Sequence, residues 1–133
     1  MTIEDLAEGL PNGFHDSKVH VASIDFDAQT AEFILDVWIG TMDSPPGPER
    51  EKYRRGRLEL LGLEYLAMDP PHPKYPYRKC GEIDIDLCTP DEEVAGPRPH
   101  GEGGFAGSFF VSNWNAFIHF AAMDARLHWL EPG

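Results

Sequence analysis

The histidines are the first residues in this chain that invite chemistry: His15, His20, His72, His100, His119 and His128. They are dispersed and show no tight metal-ligand spacing. His15 and Asp16 adjoin, however, and with His119 they form a candidate ligand set for zinc or a similar divalent ion. Imidazole and carboxylate both suit such ions, and a site can draw its ligands from distant strands. Asp16 has an alternative use, since an Asp in a turn accepts backbone N–H groups where one element gives way to the next. On that reading His15 packs beside Phe14 or a neighbouring strand. Both readings stay open.

Glu82, Asp84 and Asp86 alternate with Ile83, Ile85 and Leu87. Acid–base work by paired carboxylates needs one of them desolvated so that the two titrations separate, and a calcium loop needs a Gly-spaced set. Acids alternating with isoleucine satisfy neither requirement. They describe the wet face of a strand and a candidate binding surface. Nucleophiles are poorly supported. Ser17, Ser108 and Ser112 lie in no Gly-x-Ser-x-Gly elbow, and Cys80 and Cys88 have no active-site context. Gly101-Glu102-Gly103-Gly104 lacks the Lys-Ser/Thr of a phosphate loop.

These residues need a scaffold, and the chain's periodicity supplies one. Thr2 caps a helix over 2–10 with Glu4 and Asp5 in its first turn, and Ile3, Leu6, Ala7 and Leu10 make one apolar stripe. Pro11 and Gly13 end it. From Lys18 the period falls to two. Ala22, Ile24 and Phe26 are expected inward on one strand, and Phe33, Leu35, Val37 and Ile39 on the next, joined at Ala28-Gln29. The prolines in 41–50 impose a loop. Arg57–Met68 reads as one long strand whose phase slips at a bulge near Leu60-Leu61-Gly62. The segment 69–77 is stiff and proline-rich, and 89–104 is a second loop. Phe105–Ser112 and Ala116–Ala122 are strands flanking Asn113-Trp114-Asn115, a three-residue hairpin loop because Asn tolerates left-handed backbone. A last strand follows Asp124. The expectation is a single domain over 1–133 with its β-rich body over 17–131. Its class is mainly β, an antiparallel sheet or sandwich of about six to seven strands with one short N-terminal helix.

Charge narrows the partners. Eleven basic residues against 23 acidic ones leave a net charge of -12. A field of that sign repels nucleic acid and anionic lipid and favours basic protein partners. Arg50, Lys52, Arg54, Arg55 and Arg57 gather much of the positive charge. They can dock an acidic surface, including that of a second copy in a homodimer, or simply guard a strand edge. Two cysteines make no disulfide framework, and no apolar run reaches the length of a membrane span, so a reduced, cytoplasmic protein is expected. Trp114 in its loop is expected to be partly exposed as a contact residue, with Asn113 and Asn115 beside it.

Phe14-His15-Asp16-Ser17, followed by Val19, Val21, Ile24 and Asp25, resembles the opening of several groups of small bacterial proteins with an aromatic-His-Asp-Ala start, some of them immunity proteins of polymorphic toxin systems. Asn113-Trp114-Asn115-Ala116-Phe117 and Asp124-Ala125-Arg126-Leu127 resemble the end of an uncharacterised group of the same kind. Ser17 stands where Ala is commoner. The resemblance implies a non-enzymatic, cofactor-free acidic protein that inhibits a partner such as a toxin. The alternative is a metal-dependent enzyme or metal-binding module built on His15, Asp16 and His119.

Overall fold

In the computed structural model, which describes residues 1–70, 73–76, 82–88 and 104–130, a short helix precedes eight strands. Helix α1 spans Ile3–Glu8. The strands are β1 (Ser17–Asp25), β2 (Thr30–Trp38), β3 (Tyr53–Leu61), β4 (Tyr65–Met68), β5 (Ile83–Cys88), β6 (Phe105–Val111), β7 (Ala116–Ala122) and β8 (Asp124–Trp129). All eight join one antiparallel sheet in the order β4-β7-β6-β5-β1-β2-β3-β8. The expected loop over 89–104, save its last residue, the thiol of Cys80 and part of the proline-rich 69–77 lie outside the described residues. Among the described residues, no helix is long and apolar enough to cross a membrane.

The helix forms where its cap allows. Thr2 Oγ1 accepts from the N–H of Asp5, and Asp5 returns the bond to the N–H of Thr2, which satisfies two end donors reciprocally. Only Ile3 is fully buried, and the helix is a turn and a half long, so it is held by its packing against the sheet.

The strand expected over Arg57–Met68 is two strands, β4 at one end of the sheet order and β3 last but one at the other, which accounts for a count above the expected six to seven. β3 stops at Leu61, and Gly62 turns the chain at φ +61°. A Cβ there would stand 2.9 Å from the Cβ of Met123, so the corner needs a glycine. Met123 turns beside it, donating its N–H to the carbonyls of Leu61 and Gly62. β3 pairs with β8, and β4 with β7, so the two strands round the corner together as one ribbon. One residue links β7 to β8 and three link β3 to β4. A residue reaches at most about 3.6 Å. The two ends of the strand order therefore lie close together, and the sheet coils around its core instead of lying flat.

Phe14, Phe33, Phe109 and Phe120 centre that core, with Leu35, Leu58, Leu60, Ile85 and Ile118 fully enclosed around them. Phe109 meets Phe33 edge-on at 5.7 Å and Phe120 at 5.0 Å, separations at which aromatic pairs add to the area they bury. β2 alternates as expected: Ala31, Phe33, Leu35 and Val37 are buried. β1 does not. Ala22 and Ile24 pair with Phe33 and Ala31 and share their face, yet both are exposed, and Phe26 is 84% exposed. A one-residue irregularity between Val19 and Val21 shifts the register. Beyond it β1 outruns the core, while its partner β2 stays buried as far as Ala31.

Candidate functional site

The charged residues of the outer face assemble where β5, β1, β2 and β3 lie side by side. In the register Asp84 stands opposite Lys18, Lys18 opposite Asp36, and Asp36 opposite Arg55. Charge alternates across four strands. Lys18 Nζ donates to Asp84 Oδ1 at 2.6 Å, and the Arg55 guanidinium grips Asp36 through Nε at 2.9 Å and Nη2 at 3.2 Å. The hydrogen bond from Arg55 holds the Asp36 carboxyl below its ordinary range, with His20 assisting against partial burial. Asp84 in turn raises Lys18. His20 completes the group, with Nε2 at 2.8 Å from Asp36 Oδ2 and Nδ1 at 3.7 Å from Glu82 Oε2.

One step along the same face, His15 Nδ1 bonds Asp86 Oδ1 and His15 Nε2 stands 3.5 Å from Asp16 Oδ2. The imidazole lies between two carboxylates and tilts against Trp38 at 5.9 Å. The hydrogen bond to Asp86 raises the His15 pKa above its ordinary value, so this environment favours imidazolium. Asp16 has left-handed backbone, φ +53°, which Asp tolerates better than most residues. Its expected task falls to another residue: Asp86 Oδ1 accepts the N–H of Asp16, while the Asp16 side chain is largely exposed.

Several sequence expectations are corrected by this arrangement. Glu82, Asp84 and Asp86 do share one side of β5, opposite the buried Ile85, but they are not a bare acidic row. Lys18 and His20 face them from β1, and His15 from the turn just before it. Arg55 and Arg57 are likewise occupied within the chain, Arg57 by Glu32 at 3.0 Å and Glu59 at 3.4 Å, and Arg54 lies over the Trp129 ring. They sit on an interior strand and guard no edge. His119 is not with His15 and Asp16. Among the described residues, the ligand atoms that come within 4.8 Å of one another are those of His15, Asp16 and Asp86, and separately those of His20, Asp36 and Glu82. In the second set the Arg55 guanidinium already bridges His20 and Asp36.

No family model matches the chain, and no curated protein matches it. It is similar to an uncharacterized protein from Neisseria gonorrhoeae. That crystal structure shares 11% identity with it over 90% of this chain and 93% of the other, at a TM-score of 0.43.

His119 belongs to a grouping that spacing could not reveal. Ser108 Oγ lies 2.7 Å from His119 Nδ1, and His119 Nε2 lies 3.7 Å from Asp69 Oδ2. The residue types are those of a hydrolytic triad, but the geometry is not. Ser108 is 3% exposed in the middle of a strand, and His119 stacks on Phe117 at 5.6 Å. Attack on a carbonyl requires an exposed hydroxyl and donors aimed at the developing oxyanion. Asp69 instead accepts the N–H of Phe117 and ties the end of β4 to β7. The grouping satisfies buried polar groups.

Trp114 is 3% exposed and packs in the core, against the expected partial exposure. Its turn is drawn onto the body by Asn113, whose Oδ1 accepts the N–H of Asp84 at 2.6 Å while its Nδ2 donates to Asp84 Oδ2. Asn115 takes the left-handed position, φ +50°. The most exposed aromatic among the described residues is Phe26, at the tip of the β1–β2 hairpin. Sequence reasoning missed it as a surface residue. With Ile24 it overhangs a cleft of ≈ 240 Å³, whose far wall is Leu63, Tyr65 and Leu66 and whose rim carries Asp25 and Glu64.

Proposed function

We propose that this chain is a non-enzymatic, acidic protein-binding module, an immunity-like inhibitor of a basic partner such as a toxin. The observation that carries the reading is Phe26, 84% exposed, in company with Val21 at 54% and Ile24 at 40% on the same hairpin. A single exposed apolar residue is ordinary. Phe26 and Ile24 together on the wall of an acid-rimmed cleft mark a contact surface. The net charge of -12 supports a basic partner, because complementary fields speed encounter. The acidic row loses its leading place in this reading, since Lys18, His15 and His20 already answer Asp84, Asp86 and Glu82. The hairpin tip takes that place.

Co-expression with the products of neighbouring genes tests the proposal. One of them should arrest growth alone, be relieved by this chain, and form a complex whose association rate falls with salt. Phe26→Asp should abolish relief while leaving the fold intact. Undiminished relief by Phe26→Asp would move the contact surface elsewhere.

A second reading, a metal-binding module, is favoured by the approach of His15, Asp16 and Asp86. Calorimetric titration with zinc tests it: stoichiometric uptake lost in both Asp16→Ala and Asp86→Ala would put it first.

A further inference from the structure

We propose that the outer edge of β4 accepts an added strand from the partner, and that the accepted segment alternates apolar with basic residues. This deepens the binding reading and rests on it. β4 is an end strand of the sheet, paired on one side with β7. Asp69 N–H bonds the Phe117 carbonyl at the end of that pairing. In an antiparallel ladder the bonding direction alternates by residue. Ala67 therefore faces β7, while Leu66 and Met68 turn their N–H and C=O groups outward. Among the described residues no strand meets them.

The position beside that edge is already defined. β2 lies beside β3, and the Leu63 N–H donates to the carbonyl of Gln29, the residue just before β2. That bond falls just before β4 begins. An incoming strand would take beside β4 the place that β2 takes beside β3, starting where the hairpin tip ends. Proteins usually protect such edges with Lys, Pro or a bulge. Tyr65-Leu66-Ala67-Met68 carries neither charge nor proline, and Tyr65 and Met68 are 44% and 42% exposed. Strand addition draws affinity from main-chain bonds and selectivity from pockets for alternate side chains. Here the pocket is the cleft between Phe26 and Leu66.

Charge chooses the occupant. Asp25 and Glu64 line the cleft, Asp27 is exposed beside it, and among the described residues no basic residue lines it. A second copy would bring the same acids to the same place, together with another net charge of -12. A segment with Lys or Arg at alternate positions brings the opposite sign.

The test uses the full chain and a labelled peptide that alternates Val and Lys, read by fluorescence anisotropy and amide exchange. The peptide should bind and protect the amides of Leu66 and Met68. Affinity should fall at least about tenfold with a Val–Glu peptide, with Asp25→Lys/Glu64→Lys, or with Leu66→Pro, whose lost N–H faces away from β7. Thermal melts show whether each variant is folded, and the charge variants serve if Leu66→Pro is not. Three outcomes overturn the proposal: no binding by the Val–Lys peptide, binding indifferent to charge, or dimerisation of the chain alone that Leu66→Pro abolishes. If a neighbouring gene product binds folded Leu66→Pro as it binds the natural chain, the edge proposal fails and the binding reading stands.

Discussion

Among the described residues, two hairpin turns carry a large aromatic residue, and they treat it in opposite ways. Between β6 and β7, Trp114 is sealed into the core; between β1 and β2, Phe26 stands in solvent. Both turns also place a non-glycine residue in left-handed backbone, Asn115 in one and Gln29 in the other. The local chemistry of the turns is thus alike. What differs is the neighbour. The first turn lies beside β5, and Asn113 fastens it there through the backbone of Asp84. β5 pairs with β1 only along Ser17–Val19, so the described neighbour stops well short of the hairpin tip. An aromatic residue in a turn becomes core or contact according to how far the next strand runs.

The strongest way to break this comparison is to remove the sealed aromatic. Trp114→Ala should lower stability by about 3–5 kcal/mol, as truncations of buried Trp do, measured by denaturant unfolding. A small loss would mean that its burial contributes little. This departs from the sequence expectation of a partly exposed contact residue. Next comes the fastening. Asn113→Ala leaves the half-buried N–H of Asp84 without its acceptor and should cost about 1–3 kcal/mol; a neutral result would detach the turn from β5 in the argument.

Ser17, at the root of the bare hairpin, sharpens the contrast from the other side. It is fully buried, and its Oγ has no hydrogen-bond partner among the described residues. Ser17→Ala removes a desolvated hydroxyl and should raise stability by about 1 kcal/mol. A loss would reveal a partner for the hydroxyl. At the tip, Phe26→Ala should move stability by no more than about 0.5 kcal/mol; a larger drop would mean that Phe26 is part of the fold.

The smallest effect concerns His15, beside the same root. Asp86 raises its pKa in the folded state, so the linked stability is fully present below about pH 6.5, the unfolded value, and is lost as pH rises through the folded value. Half-exposure keeps the effect modest. NMR titration should show a raised midpoint for His15 that returns towards the ordinary value in Asp86→Asn. An unchanged midpoint would remove Asp86 as the cause.

Much of this scaffold is legible in the amino-acid order because it follows from local rules. The Thr2–Asp5 cap, the alternation of β2 and β5, and the β6–β7 hairpin each rest on a few adjacent residues. The failures share a cause. Gly62 signals a break in strand pairing, but a bulge and a corner use the same glycine, and only the position of Met123 decides between them. Ala22 and Ile24 do face the core side; their exposure is set by how much sheet lies opposite. The candidate site was half visible. Glu82, Asp84 and Asp86 lie on the side expected of them, whereas the pairing of Lys18 with Asp84 or His119 with Ser108 depends on strand order, which periodicity does not encode.

The corner at Gly62 and Met123 also has a consequence in time. β3 emerges from the ribosome long before β8, the strand that covers its far side, and α1 likewise waits for β8, whose Ala125 N–H bonds the carbonyl of Met1. Such distant pairings close slowly, typically in milliseconds to seconds for sheet proteins. Until the last strand is made, β3 remains an unfinished edge of alternating leucine and charge. The nascent chain is then most prone to mispairing.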